Sequence, residues 1–154
     1  TVPRLYHSTA VLLPDARVLV GGSTGHHFPE VDNEFRLEIF SPPYLFKGAR
    51  PVIGSAPDVI AYDTTFTVET PDAASIVSIA LIRPGSVTHN NNMDQRHVNL
   101  AIIEKLADRL TISAPLDATI APPTYYMLFL INDQGVPSEA VFVQVALPPI
   151  EEIT

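Results

Sequence analysis

Residues 125–131, Tyr125-Tyr126-Met127-Leu128-Phe129-Leu130-Ile131, and residues 141–145, Val141-Phe142-Val143-Gln144-Val145, decide the fold class. In the second run Val141, Val143 and Val145 alternate with Phe142 and Gln144. Successive residues of a strand point to opposite faces, so this run sets one face against a core. The first run is apolar throughout, as a strand covered on both faces should be. Working outward, the same two signatures recur. Residues 75–82 are largely apolar on both faces. Phe66 and Val68 alternate with threonines and Glu69, and Phe35, Leu37 and Ile39 alternate with Arg36 and Glu38. Turn-forming residues separate the runs: Pro14-Asp15, Pro71-Asp72, Pro84-Gly85, Asn90-Asn91-Asn92 and Asp133-Gln134-Gly135. Only residues 102–108 read as helix, and that stretch is too short and isolated to change an all-β assignment.

Composition agrees and excludes several function classes. Apolar residues make up 46% of the 154, enough for a core, and charged residues only 17%, which argues against a disordered tail. Fifteen prolines against seven glycines favour many short elements over long helices. A formal charge of −8 repels phosphate backbones and anionic lipid surfaces, so nucleic-acid partners are not expected. No apolar run approaches the ~18 residues of a membrane span, so membrane insertion is not expected either. The absence of cysteine excludes disulfides, thiolate metal sites and a thiol nucleophile within the chain. The polar, abrupt start reads as a processed or truncated chain.

Residues 41–51 hold three prolines and a glycine and read as a linker or crossing loop. About three strands precede it, at 6–13, 17–20 and 34–40, and roughly seven follow, ending near residue 147. Seven short strands in about a hundred residues suit an immunoglobulin-like antiparallel β-sandwich. The expected division is therefore a partial unit of about three strands with its linker at 1–46, an immunoglobulin-like sandwich at 47–147 and a tail at 148–154. Three strands alone leave open edges. They are expected to complete a sheet supplied from upstream or by another chain, with edge-strand pairing between copies as one outcome. The Gly21-Gly22 doublet after the apolar residues 18–20 is compatible with a kelch-type propeller blade and equally with an ordinary glycine turn.

Five histidines carry the chemical interest: His7, His26, His27, His89 and His97. Tyr6-His7 opens the first strand, where alternation sends the two side chains to opposite faces unless twist or a bulge redirects them. His89 sits in Thr88-His89-Asn90-Asn91-Asn92-Met93-Asp94-Gln95-Arg96, the tip of a hairpin or inter-strand loop, which suits a binding residue or a plain polar loop. His26-His27 with Glu30 and Asp32 is a denser cluster of metal-ligand types in a stretch without a rigid frame, and reads as a solvated loop. Tyr44, Tyr125 and Tyr126 would make a sugar-stacking platform if they shared one face; burial in a sheet is the alternative. No nucleophile elbow, phosphate loop, dinucleotide fingerprint or paired carboxylates stand out.

Four stretches together resemble the C-terminal region of the galactose oxidase and glyoxal oxidase family of copper radical oxidases. Arg4-Leu5-Tyr6-His7-Ser8, leading into Leu12-Leu13-Pro14-Asp15-Ala16-Arg17-Val18, resembles that family's last propeller blade. Ile39-Phe40-Ser41-Pro42-Pro43-Tyr44-Leu45 resembles its exit into the final domain. Thr88-His89 with Asp94-Gln95-Arg96 resembles the long loop of that domain. Tyr126-Met127-Leu128-Phe129, with Asn132 and Gly135-Val136-Pro137-Ser138, resembles its penultimate strand and turn.

The resemblance implies copper bound by Tyr6, His7 and His89, with Tyr6 as an axial phenolate and the catalytic base that takes the alcohol proton. Imidazole suits copper, and a nearby cation makes a phenolate accessible. It also implies a tyrosine–cysteine radical cofactor in an upstream propeller domain, which this cysteine-free chain cannot supply. The chain is then expected to be a C-terminal fragment, inactive alone, of a protein that oxidises primary alcohols or aldehydes, carbohydrates included, with O2 to give H2O2. Secretion or a cell-surface location follows from the family's habit. His26, His27 and His97 match no ligand position. Two alternatives remain: a non-catalytic cell-surface or carbohydrate-binding β-module, and a structural cap on the propeller.

Overall fold

The computed structural model describes residues 3–24 and 33–146. His26, His27, Glu30 and Asp32 lie outside the described residues, as does the expected tail. The described chain is nearly all β. Its strands are β1 (Thr9–Leu12), β2 (Val18–Gly21), β3 (Leu37–Phe40), β4 (Val59–Ala61), β5 (Thr65–Glu69), β6 (Ile76–Ile82), β7 (Val87–Thr88), β8 (Asn91–Asn92), β9 (His97–Leu100), β10 (Ile102–Lys105), β11 (Arg109–Ser113), β12 (Thr124–Asn132) and β13 (Val141–Ala146).

A five-stranded sheet, β4-β13-β12-β6-β9, faces a three-stranded sheet, β10-β11-β5. Alternation builds the space between them: Tyr126, Leu128, Leu130, Ile79, Leu81, Val143 and Val145 point in from one sheet and Val68, Leu110 and Ile112 from the other. The pairing is antiparallel except at one edge, where β4 runs parallel to β13 with Ile60 opposite Val145. The helix-like stretch at 102–108 is instead strand β10 and a turn. The two branched residues Ile102 and Ile103 start a strand that pairs with β11, and Leu106 N donates to Arg109 O at 2.9 Å to close the hairpin. Cross-strand pairing overrides a weak local helix preference.

The second face of the five-stranded sheet is apolar too. Met127 and Phe129 are buried there under Ala16, Leu12, Tyr44 and Leu45. These come from the end of β1, from the turn between β1 and β2 and from a short 3-10 turn at Pro43–Phe46. The seam is tied by hydrogen bonds. Tyr44 Oη donates to Ala16 O at 2.7 Å, and Ala140 N to Pro14 O at 2.8 Å. The Arg50 guanidinium spreads over Asp15 O, Pro137 O and Ser138 O at 2.9, 3.0 and 2.6 Å. So the hairpin β1–β2 is seated at its turn end, and β1 also contacts β7.

Sheet β1-β2-β3 differs. Pairing is regular, with Val20 opposite Ala10 and Glu38, but all four residues of β3 are exposed. The alternation of Phe35, Leu37 and Ile39 therefore has no second layer to meet among the described residues.

Candidate metal centre

Tyr6 and His7 do not open the first strand; they form the turn before it. Ser8 N donates to Leu5 O at 3.1 Å, closing a β-turn whose third residue is His7. His7 has φ +63°, a left-handed conformation ordinarily taken by glycine or asparagine. The strand rule that would send the two side chains to opposite faces does not apply in this turn. Their rings lie with centroids 4.1 Å apart.

The turn is held from beneath. Leu5 N donates to the hydroxyl of Ser23 at 2.8 Å, and Thr24 N donates to Tyr6 O at 2.7 Å. Arg4 Nη1 donates to Gly22 O and Arg36 O at 3.0 Å each, while Nη2 pairs with Glu38 at 2.5 Å. The Arg36 guanidinium, bonded to Glu34, draws that carboxyl down to about 2 and keeps the neighbouring corner ionic. Gly22 has φ +68°, and a Cβ there would stand 3.1 Å from His7 O. The second glycine of the Gly21-Gly22 doublet thus serves a local purpose, letting the backbone pass beneath the histidine turn.

His89 is delivered by a hairpin. Val87 pairs with Asn92 and Thr88 with Asn91, leaving His89 and Asn90 as a two-residue loop. Both have positive φ, +52° and +67°, the requirement of a type I′ turn. Asparagine is the side chain best suited to the left-handed region, which is one reason for the asparagine run. A second reason is the loop base: Asn92 Oδ1 accepts from Ser86 N at 3.0 Å and Asp94 N at 3.1 Å. Arg83 and Asp94 pair at 2.8 Å below it.

The hairpin tip meets the Tyr6-His7 turn. Asn90 N donates to Ser8 O at 3.2 Å, and the Ser8 hydroxyl donates to Asn90 Oδ1. The His89 ring lies 4.5 Å from the His7 ring and 5.2 Å from the Tyr6 ring, both edge-on. Thr88 Oγ1 is 2.7 Å from His89 Nδ1, so the hydroxyl occupies that nitrogen and Nε2 is the ring nitrogen left for another partner. Two imidazoles and one phenol from sequence positions more than eighty apart thus form one cluster. Both histidines are exposed, and Tyr6 is half-buried. Among the described residues no three His, Cys, Asp or Glu side chains gather, so a metal held by the described residues would depend on the phenol as well as the imidazoles.

The other candidates separate. His97 stands on β9 and lines a cavity of about 220 Å3 with Leu12, Ala16, Tyr44, Ile82 and Phe129, at the seam. The three tyrosines share no face. Tyr126 is buried with its hydroxyl donating to Pro122 O at 2.8 Å, Tyr125 points outward, and Tyr44 is bonded to Ala16 O. These three tyrosines therefore form no stacking platform. Thr88, Ser8, Asn90 and Gly22 support the site without standing out in the sequence as ligands; Ser8 and Thr88 lie beside the two histidines, and Asn90 and Gly22 in the asparagine run and the glycine doublet.

Comparison with known proteins adds the context. The galactose oxidase-like early set domain profile matches residues 50–145, and the glyoxal oxidase N-terminus profile matches residues 1–44. An aldehyde oxidase of Vitis pseudoreticulata is 41% identical over 94% of this chain and 30% of its own length. A galactose oxidase of Gibberella zeae is 35% identical over 94% of this chain and 22% of its own. A fungal alcohol oxidase solved in complex with copper superposes with a TM-score of 0.84 at 37% identity, covering 96% of this chain and 32% of that one. The chain thus spans less than a third of the length of each of these relatives.

Proposed function

Because the chain belongs to the galactose oxidase and glyoxal oxidase family of copper radical oxidases, we propose that it supplies Tyr6, His7 and His89 as ligands to copper in a larger secreted or cell-surface protein that oxidises primary alcohols or aldehydes. The observation that carries this reading is the meeting of the three rings, with centroids 4.1, 4.5 and 5.2 Å apart. The donor set fits the metal, since imidazole nitrogens with an oxygen donor suit Cu(II).

The residues divide the work. His7 and His89 would hold the ion through ring nitrogens, on side chains carried by the two left-handed turns. Thr88 keeps Nδ1 of His89 engaged, so that Nε2 is the nitrogen that would bind the ion. The Tyr6 phenolic oxygen receives the proton of the substrate hydroxyl. Copper, acting with a tyrosine–cysteine radical group outside this chain, would accept the two electrons lost as an alcohol becomes an aldehyde and pass them, with two protons, to O2, which is reduced to H2O2. The exposed histidines leave the substrate-selecting walls to residues outside this chain, in an upstream propeller. In this reading residues 1–46 complete that propeller's last blade and 47–147 form the sandwich.

With no cysteine in its sequence, this chain alone is expected to bind Cu(II) without oxidase turnover. The test is a Cu(II) titration followed by electron paramagnetic resonance, with peroxide assayed in the presence of a primary alcohol and an aldehyde. His89→Ala should remove one nitrogen ligand and weaken binding at least tenfold. Affinity unchanged by that substitution would return the chain to a non-catalytic β-module, and peroxide turnover by the chain alone would refute the dependence on an upstream radical group.

A further inference from the structure

The two imidazoles are held by the same device, one residue further on in each case. Ser8 follows His7 and Asn90 follows His89, and Ser8 and Asn90 are bonded to each other twice. Asn90 N donates to Ser8 O at 3.2 Å, and the Ser8 hydroxyl donates to Asn90 Oδ1. Ser8 is only 8% exposed, while His7, His89 and Asn90 are exposed. The one buried member of the group is thus the anchor. Three of the four residues have positive φ: His7 at +63°, His89 at +52° and Asn90 at +67°. Such conformations persist where surrounding structure over-determines them. Two hydrogen bonds to Ser8 tie the tip of the β7–β8 hairpin to the Tyr6-His7 turn.

We propose that Ser8 and Asn90 are positioning residues: their side-chain hydrogen bond sets the separation of the His7 and His89 imidazoles. The consequence for copper rests on the metal reading above; the consequence for the rings does not. The clamp differs from an ordinary loop contact because the backbone bond already ties the strands. The side-chain bond adds the constraint that fixes the pitch of the hairpin tip, and with it where the His89 ring points.

Asn90→Gly is the discriminating variant. Glycine takes a positive φ without steric cost and is favoured at the second position of a type I′ turn, so the hairpin stays formed while the side-chain bond is lost. Asn90→Asp keeps the acceptor and tolerates the same backbone, and serves as the conservative rescue. Ser8→Ala removes the donor from the other side. In the metal-free chain, the parent and Asn90→Asp should show a nuclear Overhauser contact between the His7 and His89 rings, 4.5 Å apart. Asn90→Gly and Ser8→Ala should lose it while the Val87–Asn92 cross-strand contacts remain. Loss of the outer partner should also lower Cu(II) affinity about tenfold at unchanged thermal midpoint. A retained ring–ring contact in Asn90→Gly overturns the proposal, as does an affinity that falls only in step with unfolding of the hairpin. If the ring contacts behave as expected but His89→Ala leaves copper binding unchanged, the clamp stands and the metal reading fails.

Discussion

In the sandwich, Leu128, Leu130, Ile79 and Leu81 are fully buried between two sheets; in sheet β1-β2-β3, Leu37, Ile39 and Phe40 stand 69, 49 and 56% exposed. Both regions use the same alternation, and both have regular strand pairing. The difference is a second layer. Alternation specifies which side chains share a face, but burial requires another surface at about 10 Å, and only the sandwich has one among the described residues. The small sheet is held instead by backbone pairing, the Arg4 stitch to β2 and β3, and the seam around Ala16. Unburied apolar faces contribute none of the ~25 cal/mol per Å2 that dominates sandwich stability. The region that brings Tyr6 and His7 to the site is therefore the less secured one.

Amide exchange should show this most strongly. Sandwich strands such as β12 are expected to exchange only through global unfolding, and β3 through local opening orders of magnitude faster. Equal, global-level protection in a monomer would erase the contrast. A narrower comparison uses one side chain from each region. Leu128→Ala should lower unfolding free energy by about 2–5 kcal/mol in a denaturant titration, and Leu37→Ala by no more than about 0.5 kcal/mol. A large effect at Leu37 would mean that its face is packed in solution, for instance by a second copy.

The smallest expected effect tests the seam. Burial raises the Tyr44 hydroxyl above its ordinary 10, as it does Tyr126 in the core. A raised folded value means that the contribution is fully present below the unfolded value and is lost as pH rises through the folded one. Stability should thus decline above about pH 10. Tyr44→Phe should flatten part of that decline while costing about 1 kcal/mol at neutral pH, because Ala16 O loses its donor. An alkaline limb unchanged in Tyr44→Phe would show that the seam does not contribute to it.

How much of this was readable in the linear sequence depends on the range of the interaction. Val141–Val145 and residues 125–131 declared their burial because each face of a strand is set by neighbours two residues away. Residues 102–108 misled because a short apolar pattern fits either period, and only the partner β11 decides between them. The parallel placement of β4 beside β13 had no local signal, since strand direction depends on where the connecting chain crosses.

The site divides in the same way. Residue types were visible: Tyr6, His7 and His89 stood out as possible ligands, and family likeness tied them to copper. Their meeting was not visible. The alternation rule assigned Tyr6 and His7 to opposite faces, and only a left-handed turn at His7, supported by Gly22 and Ser23, put both rings on one side. A histidine does not announce a positive φ as glycine does.

Taken alone, the sequence determined that this protein is all-β, where its turns fall and which side chains could bind a metal, because these follow from local periodicity and side-chain chemistry. The tertiary structure decided that the β1 entry turn and the β7–β8 hairpin tip, more than eighty residues apart, present their rings to one another. That depends on docking of the hairpin turn onto the sandwich and on the Ser8–Asn90 bonds, contacts formed only once the two regions have packed.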